Sequence, residues 1–113
     1  MSLHDPLIAL KQMRDHAQEA LPLLSGKGQS DLQTDRVLSL AVVRLLEILG
    51  EAARRVPSEV QQVHPSIPWS YIIGMRNRLI HGYDRVDQDI VWSVIADDLP
   101  PLVAQLEEIT AGR

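Results

Sequence analysis

The sequence predicts an all-α fold, an antiparallel bundle of four main helices. Apolar residues recur at three- and four-residue steps, no stretch alternates with period two for long enough to make a strand, and Pro and Gly fall between the periodic segments. At 113 residues the chain is one domain's worth, taken as a single helical domain over 1–113. Phe is absent and the aromatics are two Trp and two Tyr, so the core must be aliphatic.

The first helix is expected over 5–24, "DPLIALKQMRDHAQEALPLL", where Leu7, Leu10, Met13, Ala17 and Ala20 share a face and Pro6 suits the first turn. "SGKGQS" resembles the tail of a phosphate-binding loop. The first glycine of GxxxxGK[ST] is missing and no strand precedes it, so it reads as a connection. A second helix is expected over 31–56, closed by Pro57; its roughly 26 residues would span on the order of 39 Å. "PSEVQQVHPSIPW" holds three prolines around at most one short helical turn. "WSYIIGMRNRLIH" resumes the helical period, and Gly82 is placed to end it in a left-handed cap. "YDRVD" turns the chain and Asp87 can cap the last helix, which is expected to kink or break at Pro100 and Pro101 before continuing through "LVAQLEEIT".

A net charge of -4 gives no global attraction for nucleic acid, so a polyanion would need a local basic patch. Without cysteine there is no disulfide, no thiolate metal site and no cysteine nucleophile. His4, His16 and His64 have no metal-ligand spacing and no HExxH occurs, so no metal and no cofactor are expected. The N-terminus does not read as a signal peptide, and "VLSLAVVRLLEILG", interrupted by Arg44 and Glu47, is too short to span a bilayer. A soluble, cytoplasmic protein is the expectation.

The stretch "RNRLIHGY", Arg76 to Tyr83, carries the candidate chemistry. On an ideal helical wheel Asn77, Gly74 and Ser70 fall within about 40° of His81, while Ile72, Met75, Leu79 and Ile80 lie opposite. The small, polar stripe suits the close approach of a second helix, such as one from another copy of the chain. Arg76 sits about 140° from His81, between apolar residues, and needs an anion. Glu47 or Glu51 on the second helix, in a charged stripe with Arg44, Arg54 and Arg55, would supply it; alternatively the stripe is a solvated face with weak mutual ion pairs. Metal-free RNA cleavage needs a proton taken from the 2′-hydroxyl, a proton given to the 5′-oxygen and charge stabilised on the phosphate. His81 is suited to the proton transfers and Arg76 to the phosphate, with Asn77 orienting the imidazole or donating to a phosphate oxygen. A two-fold dimer along this face would provide two histidines. The bland alternatives are a helix-terminal histidine favoured by the dipole, and for Tyr83 a ring packed beside the cap.

The run "IIGMRNRLIHGYDRVDQDIVWSVIADDLPPLVAQLE" closely resembles the HEPN superfamily, specifically the HepT-like ribonuclease toxins encoded beside a minimal nucleotidyltransferase antitoxin. The signature of Arg, four residues, His, any residue and Tyr stands here as Arg76, His81 and Tyr83, and "LEILGEAARRV" and "HPSIPW" are similar to flanking family segments. The likeness covers residues 5–110. It implies an all-α homodimer, or a higher oligomer, with metal-independent endoribonuclease activity. Arg76 and His81 would be catalytic and Asn77 supporting, and the partners would be RNA and the nucleotidyltransferase, with no DNA and no membrane. Tyr83 would be the residue that the nucleotidyltransferase modifies with AMP, placing phosphate charge two residues from His81. Arg78, Arg54, Arg55 and Arg85 are candidates for an RNA-binding patch with Arg76. The alternatives from other classes are a non-catalytic module that binds nucleotide or a nucleotidyltransferase partner, and a structural helical adaptor.

Overall fold

A computed structural model describes residues 5–81 and 85–112, and for His81 the backbone alone. Four helical stretches make an all-α bundle, and each is interrupted where the sequence supplies a reason.

The first stretch begins at Asp5, whose carboxylate accepts from the Leu7 N–H at 2.9 Å and caps α1, Pro6–Ala20. Pro22 has no N–H to continue the α pattern, and Leu21–Leu24 tighten into a 3-10 turn. Gly26 then turns the chain at φ +73°.

The second stretch is two helices, α2 (Gln29–Thr34) and α3 (Arg36–Arg54), not the continuous one expected over 31–56. Asp35 leaves the helical region at φ -102°, ψ 95°, and its side chain accepts from Leu38 N–H at 3.0 Å. A short carboxylate that bonds local backbone favours a cap over a helix interior, and here it wins. α3 keeps 19 residues, about 28 Å. Its Val42, Leu46, Leu49 and Ala53 are fully buried, as are Met13, Ala17 and Ala20 on α1, which packs along it. The largely aliphatic core expected from the sequence runs along this seam, and the C-terminal helix packs on α1 as well.

After α3 comes α4, Ser58–Val63. The proline-rich link beyond it is pinned by Trp69, whose Nε1–H is shared between the carbonyls of Gln61 (3.1 Å) and His64 (3.0 Å). The third stretch is α5 (Trp69–Ile73) and α6 (Met75–Leu79), divided at Gly74 (φ -82°, ψ 10°). The expected single helix through His81 is therefore corrected: it ends at Leu79. Ile80 is extended at φ -118°, ψ 121°, and β1 (Ile80–His81) pairs antiparallel with β2 (Arg85–Val86), Ile80 opposite Val86 and His81 opposite Arg85. Asp87 N–H also donates to Leu79 O at 2.7 Å, so the chain returns directly onto the helix end. Local β-branched residues and a ready ladder partner outcompete one more helical turn. The cap expected at Gly82 lies outside the described residues.

α5 meets α3 at Gly50, where a Cβ would stand 2.7 Å from the Ile72 carbonyl oxygen. Only a glycine permits that approach. Within the chain the close helix contact is made here; a Cβ at Gly74 would meet only its own helix, first at Ser70 O, 3.2 Å away.

In the fourth stretch Asp87 caps α7, Gln88–Ser93, accepting from Ile90 N–H at 3.2 Å. A π-helical segment, Val94–Asp98, leads into α8, Leu99–Thr110. The irregularity thus lies one turn before the expected Pro100–Pro101 break, and the prolines occupy the first turn of α8. The reason is local: each proline ring opposes the carbonyl four residues back, Ala96 and Asp97, and widening that turn moves those carbonyls aside, with Leu99 N–H bonding to Val94 O. Among the described residues no helix is long and apolar enough to cross a membrane.

Candidate functional site

The site begins where α6 gives way to the hairpin. Arg76 and Asn77 stand on α6 and are exposed; His81 lies beyond the helix in β1, opposite Arg85. The helical face that the sequence wheel assigned to Asn77 and His81 together therefore does not exist. A change from 1.5 Å of rise per residue to about 3.3 Å carries the backbone at His81 further from Asn77 than a helical turn would.

Arg76 finds its anion on α3. Its Nε–H donates to Glu47 Oε2 at 3.1 Å; the arginine side chain is 65% exposed and the glutamate 16%. Glu51 holds Arg44 instead, at 3.5 Å, with both side chains more than half exposed. The Arg76 contact uses the Nε edge of the guanidinium and leaves the two terminal nitrogens as a fork for a second anion, the geometry that suits a phosphate. Glu47 orients the arginine from a rigid, core-anchored helix.

The other arginines have different neighbours. Arg78 lies over the Tyr71 ring, its guanidinium carbon 4.1 Å from the centroid. Arg55 donates to Gln12 Oε1 on α1 at 2.7 Å, Arg54 is exposed in the last turn of α3, and Arg85 is exposed on β2. Tyr83 lies outside the described residues. No group of three or more His, Asp or Glu among the described residues could hold a metal ion.

Two arrangements escaped the sequence reading. Tyr71 donates its hydroxyl to Asp98 Oδ2 at 2.8 Å, tying α5 to the π segment. Burial, then the hydrogen bond to Asp98 and its negative charge, push this phenol up to about 12 against a smaller opposing pull from Arg78. The second is a cleft of about 790 Å3 between α2, α3 and the hairpin, at whose floor buried Ser39 accepts from Gln88 Nε2 at 3.1 Å. Forty-nine residues separate those partners, and nothing local in either segment announces the pair.

A family model described as "Ribonuclease HepT-like" matches residues 7–109. The chain is 38% identical over 79 residues, 70% of its length and 72% of the relative's, to "Probable ribonuclease HepT" of Thermococcus cleftensis. It is 37% identical over 100 residues, 88% of its length and 89% of the relative's, to a "Putative RNase" of Caldanaerobacter subterraneus subsp. tengcongensis. A "Putative RNase" of Methanocaldococcus jannaschii is 28% identical over 107 residues, 95% of this chain and 98% of that one. No solved structure matches the chain significantly.

Proposed function

We propose that this chain, which belongs to the HepT-like ribonuclease family of the HEPN superfamily, is a metal-independent endoribonuclease toxin whose chemistry rests on Arg76 and His81. The observation that carries the reading is Arg76 itself, held through Nε by Glu47 with its terminal fork unspent, five residues before a histidine on the adjoining strand. In the proposed reaction the His81 imidazole takes the proton of a ribose 2′-hydroxyl. The 2′-oxygen forms a bond to phosphorus as the bond to the 5′-oxygen breaks, and a second imidazole returns a proton to that leaving oxygen. A cyclic 2′,3′-phosphate and a 5′-hydroxyl result. Arg76 neutralises the non-bridging oxygens as charge builds there, and Asn77 supports it.

One chain has one histidine in this stretch, so the second imidazole is assigned to another copy. The exposed stripe of α3 supports such a pairing: Val37 is 77% exposed, and Ala41 and half-buried Ile48 follow it at helical spacing, with Arg44 between them at the edge toward the hairpin. A Val37→Asp substitution is expected to shift the protein toward monomer in sedimentation and to reduce cleavage with it. Neutralisation is assigned to AMP transfer from ATP onto the Tyr83 hydroxyl by a nucleotidyltransferase antitoxin, with pyrophosphate leaving. The added phosphate would repel RNA next to His81.

The test is cleavage of RNA by the purified protein in the presence of EDTA, with Arg76→Ala and His81→Ala abolishing it while the oligomer persists. Cleavage unchanged in both variants would end the catalytic assignment. RNA left intact by a folded protein that still binds a nucleotidyltransferase would select the non-catalytic module. For the switch, AMP additions that persist by mass in Tyr83→Phe would remove Tyr83 from its role.

A further inference from the structure

The cleft beside the Arg76–Glu47 pair has a composition that neither the ion pair nor the fold requires. We propose that it is a nucleobase-binding subsite, in which the Gln88 carboxamide reads the edge of one base of a single-stranded RNA; this rests on the ribonuclease reading above. Glu47 lines the cleft and holds Arg76, so a base seated there lies next to the phosphate that Arg76 would grip.

The walls are apolar, with Leu40 and Val43 from α3 facing Ile80 and Val86 from the hairpin. Flat aliphatic walls suit the faces of a heterocycle. The floor is polar and fixed: the Ser39 hydroxyl oxygen lies 3.1 Å from Gln88 Nε2 and 3.4 Å from Oε1. That contact satisfies one amide N–H and sets the plane of the group. A second N–H and a lone pair of the carbonyl oxygen remain beyond the Ser39 contacts, a donor beside an acceptor, which is the pairing by which a glutamine reads a base edge. Gln88 follows the Asp87 cap of α7, so the amide is mounted on a helix start and not on a loose loop.

Charge at the rim agrees. The chain as a whole is acidic, yet the cleft carries Arg36 and Arg44 at its edge, and Glu47 is the one acid among its lining residues. Arg36 has no ion-pair partner among the described residues. The Arg44 contact with Glu51 is long and exposed, so Arg44 is free to turn to a passing phosphate. Apolar walls, an amide edge and cations at the rim together describe a nucleotide better than a peptide or a lipid.

The experiment separates this from catalysis by measuring binding. The full-length protein, isotopically labelled, is titrated with the four nucleoside 3′-monophosphates and followed by NMR. The expected result is a saturable shift of the Gln88 side-chain amide and of Ser39 and Val43 backbone amides, with one base preferred. Gln88→Leu should weaken the preferred nucleotide roughly tenfold, about the worth of one or two hydrogen bonds, and level the preference. Gln88→Glu, which keeps an acceptor for Ser39 but loses both amide donors, should change which base is preferred. No shift in the cleft, shifts only elsewhere, or a preference untouched in both folded variants would overturn the subsite. Loss of RNA cleavage in Arg76→Ala alongside any of those results would leave the ribonuclease reading standing, whereas cleft binding without cleavage would do the reverse.

Discussion

Along α1, α3 and α8 the molecule is built from long helices whose inward Leu, Val, Met and Ala side chains are buried; along α5, α6 and the hairpin it is built from five-residue helices and two-residue strands. The first region obtains its order from burial repeated over many turns. The second has few turns of its own: Ile72, Met75 and Leu79 are its buried anchors against the core, and its outer side is held by polar contacts, Glu47 on Arg76, Asp98 on Tyr71, and the backbone of Asp87 on Leu79. A site placed on the second region borrows rigidity from the first. Substitutions should therefore divide: those of buried residues change stability, and those of the exposed polar residues on α6 and the hairpin change chemistry with little effect on stability.

The largest expected effect is on the hairpin side. Arg76→Ala should lower RNA cleavage by about a hundredfold or more, the scale for removing a preorganised charge from a transition state, while thermal unfolding stays within a few degrees of the parent because the side chain is exposed. A parallel fall in melting temperature would mean that the two regions are not separable in this way. Next comes Leu46→Ala in the middle of the seam, which should cost about 2–5 kcal/mol in denaturant unfolding. Gly50→Ala joins the two regions: helix propensity gains about 1 kcal/mol, but the methyl would press on the Ile72 carbonyl, an overpacking of about 1–3 kcal/mol. A net destabilisation of about 1 kcal/mol is expected, with α5 displaced, so stability and cleavage should fall together. Asp35→Ala removes the cap that starts α3 and should cost about 1 kcal/mol.

The smallest effect is a titration. Tyr71 has its pKa raised from 10.0 to about 12, so the fold favours the neutral phenol, and the stabilisation it lends is present below pH 10 and lost as pH rises toward 12. In a Tyr83→Phe background, ultraviolet absorbance should report this one remaining tyrosine ionising near 12. Asp98→Asn, which removes the charge that opposes ionisation, should bring the midpoint down. An unmoved midpoint would assign the shift to burial alone.

The same division explains what could be read beforehand. Periodicity over α1 named Leu10, Met13, Ala17 and Ala20, all buried, because several residues agree on one face, and Asp5, Pro6 and Asp87 marked their helix starts through chemistry confined to a few residues. The break at Asp35 was missed because the apolar period continues across it, although the carboxylate three residues before Leu38 was a legible cap. The extension of Ile80 was missed because its partner, Val86, enters the argument only through pairing. Two acids, Glu47 and Glu51, were equally spaced to receive Arg76; the sequence offered both, and the approach of α6 to α3 brought Glu47 to it. Ser39 and Gln88 meet only through the tertiary fold.

The π segment has a meaning for the length of the chain. In α3 an inserted or deleted residue would rotate every following side chain by about 100° and bring polar groups into the seam. Between Val94 and Asp98 the helix already holds more residues per turn than an α-helix does, and apolar Val91, Ile95, Leu99 and Val103 keep step at intervals of four. That interval would drift by about 40° per turn on a regular helix. The wide turn is thus a slack link, expected to give up one residue near exposed Ala96 more readily than α3 could.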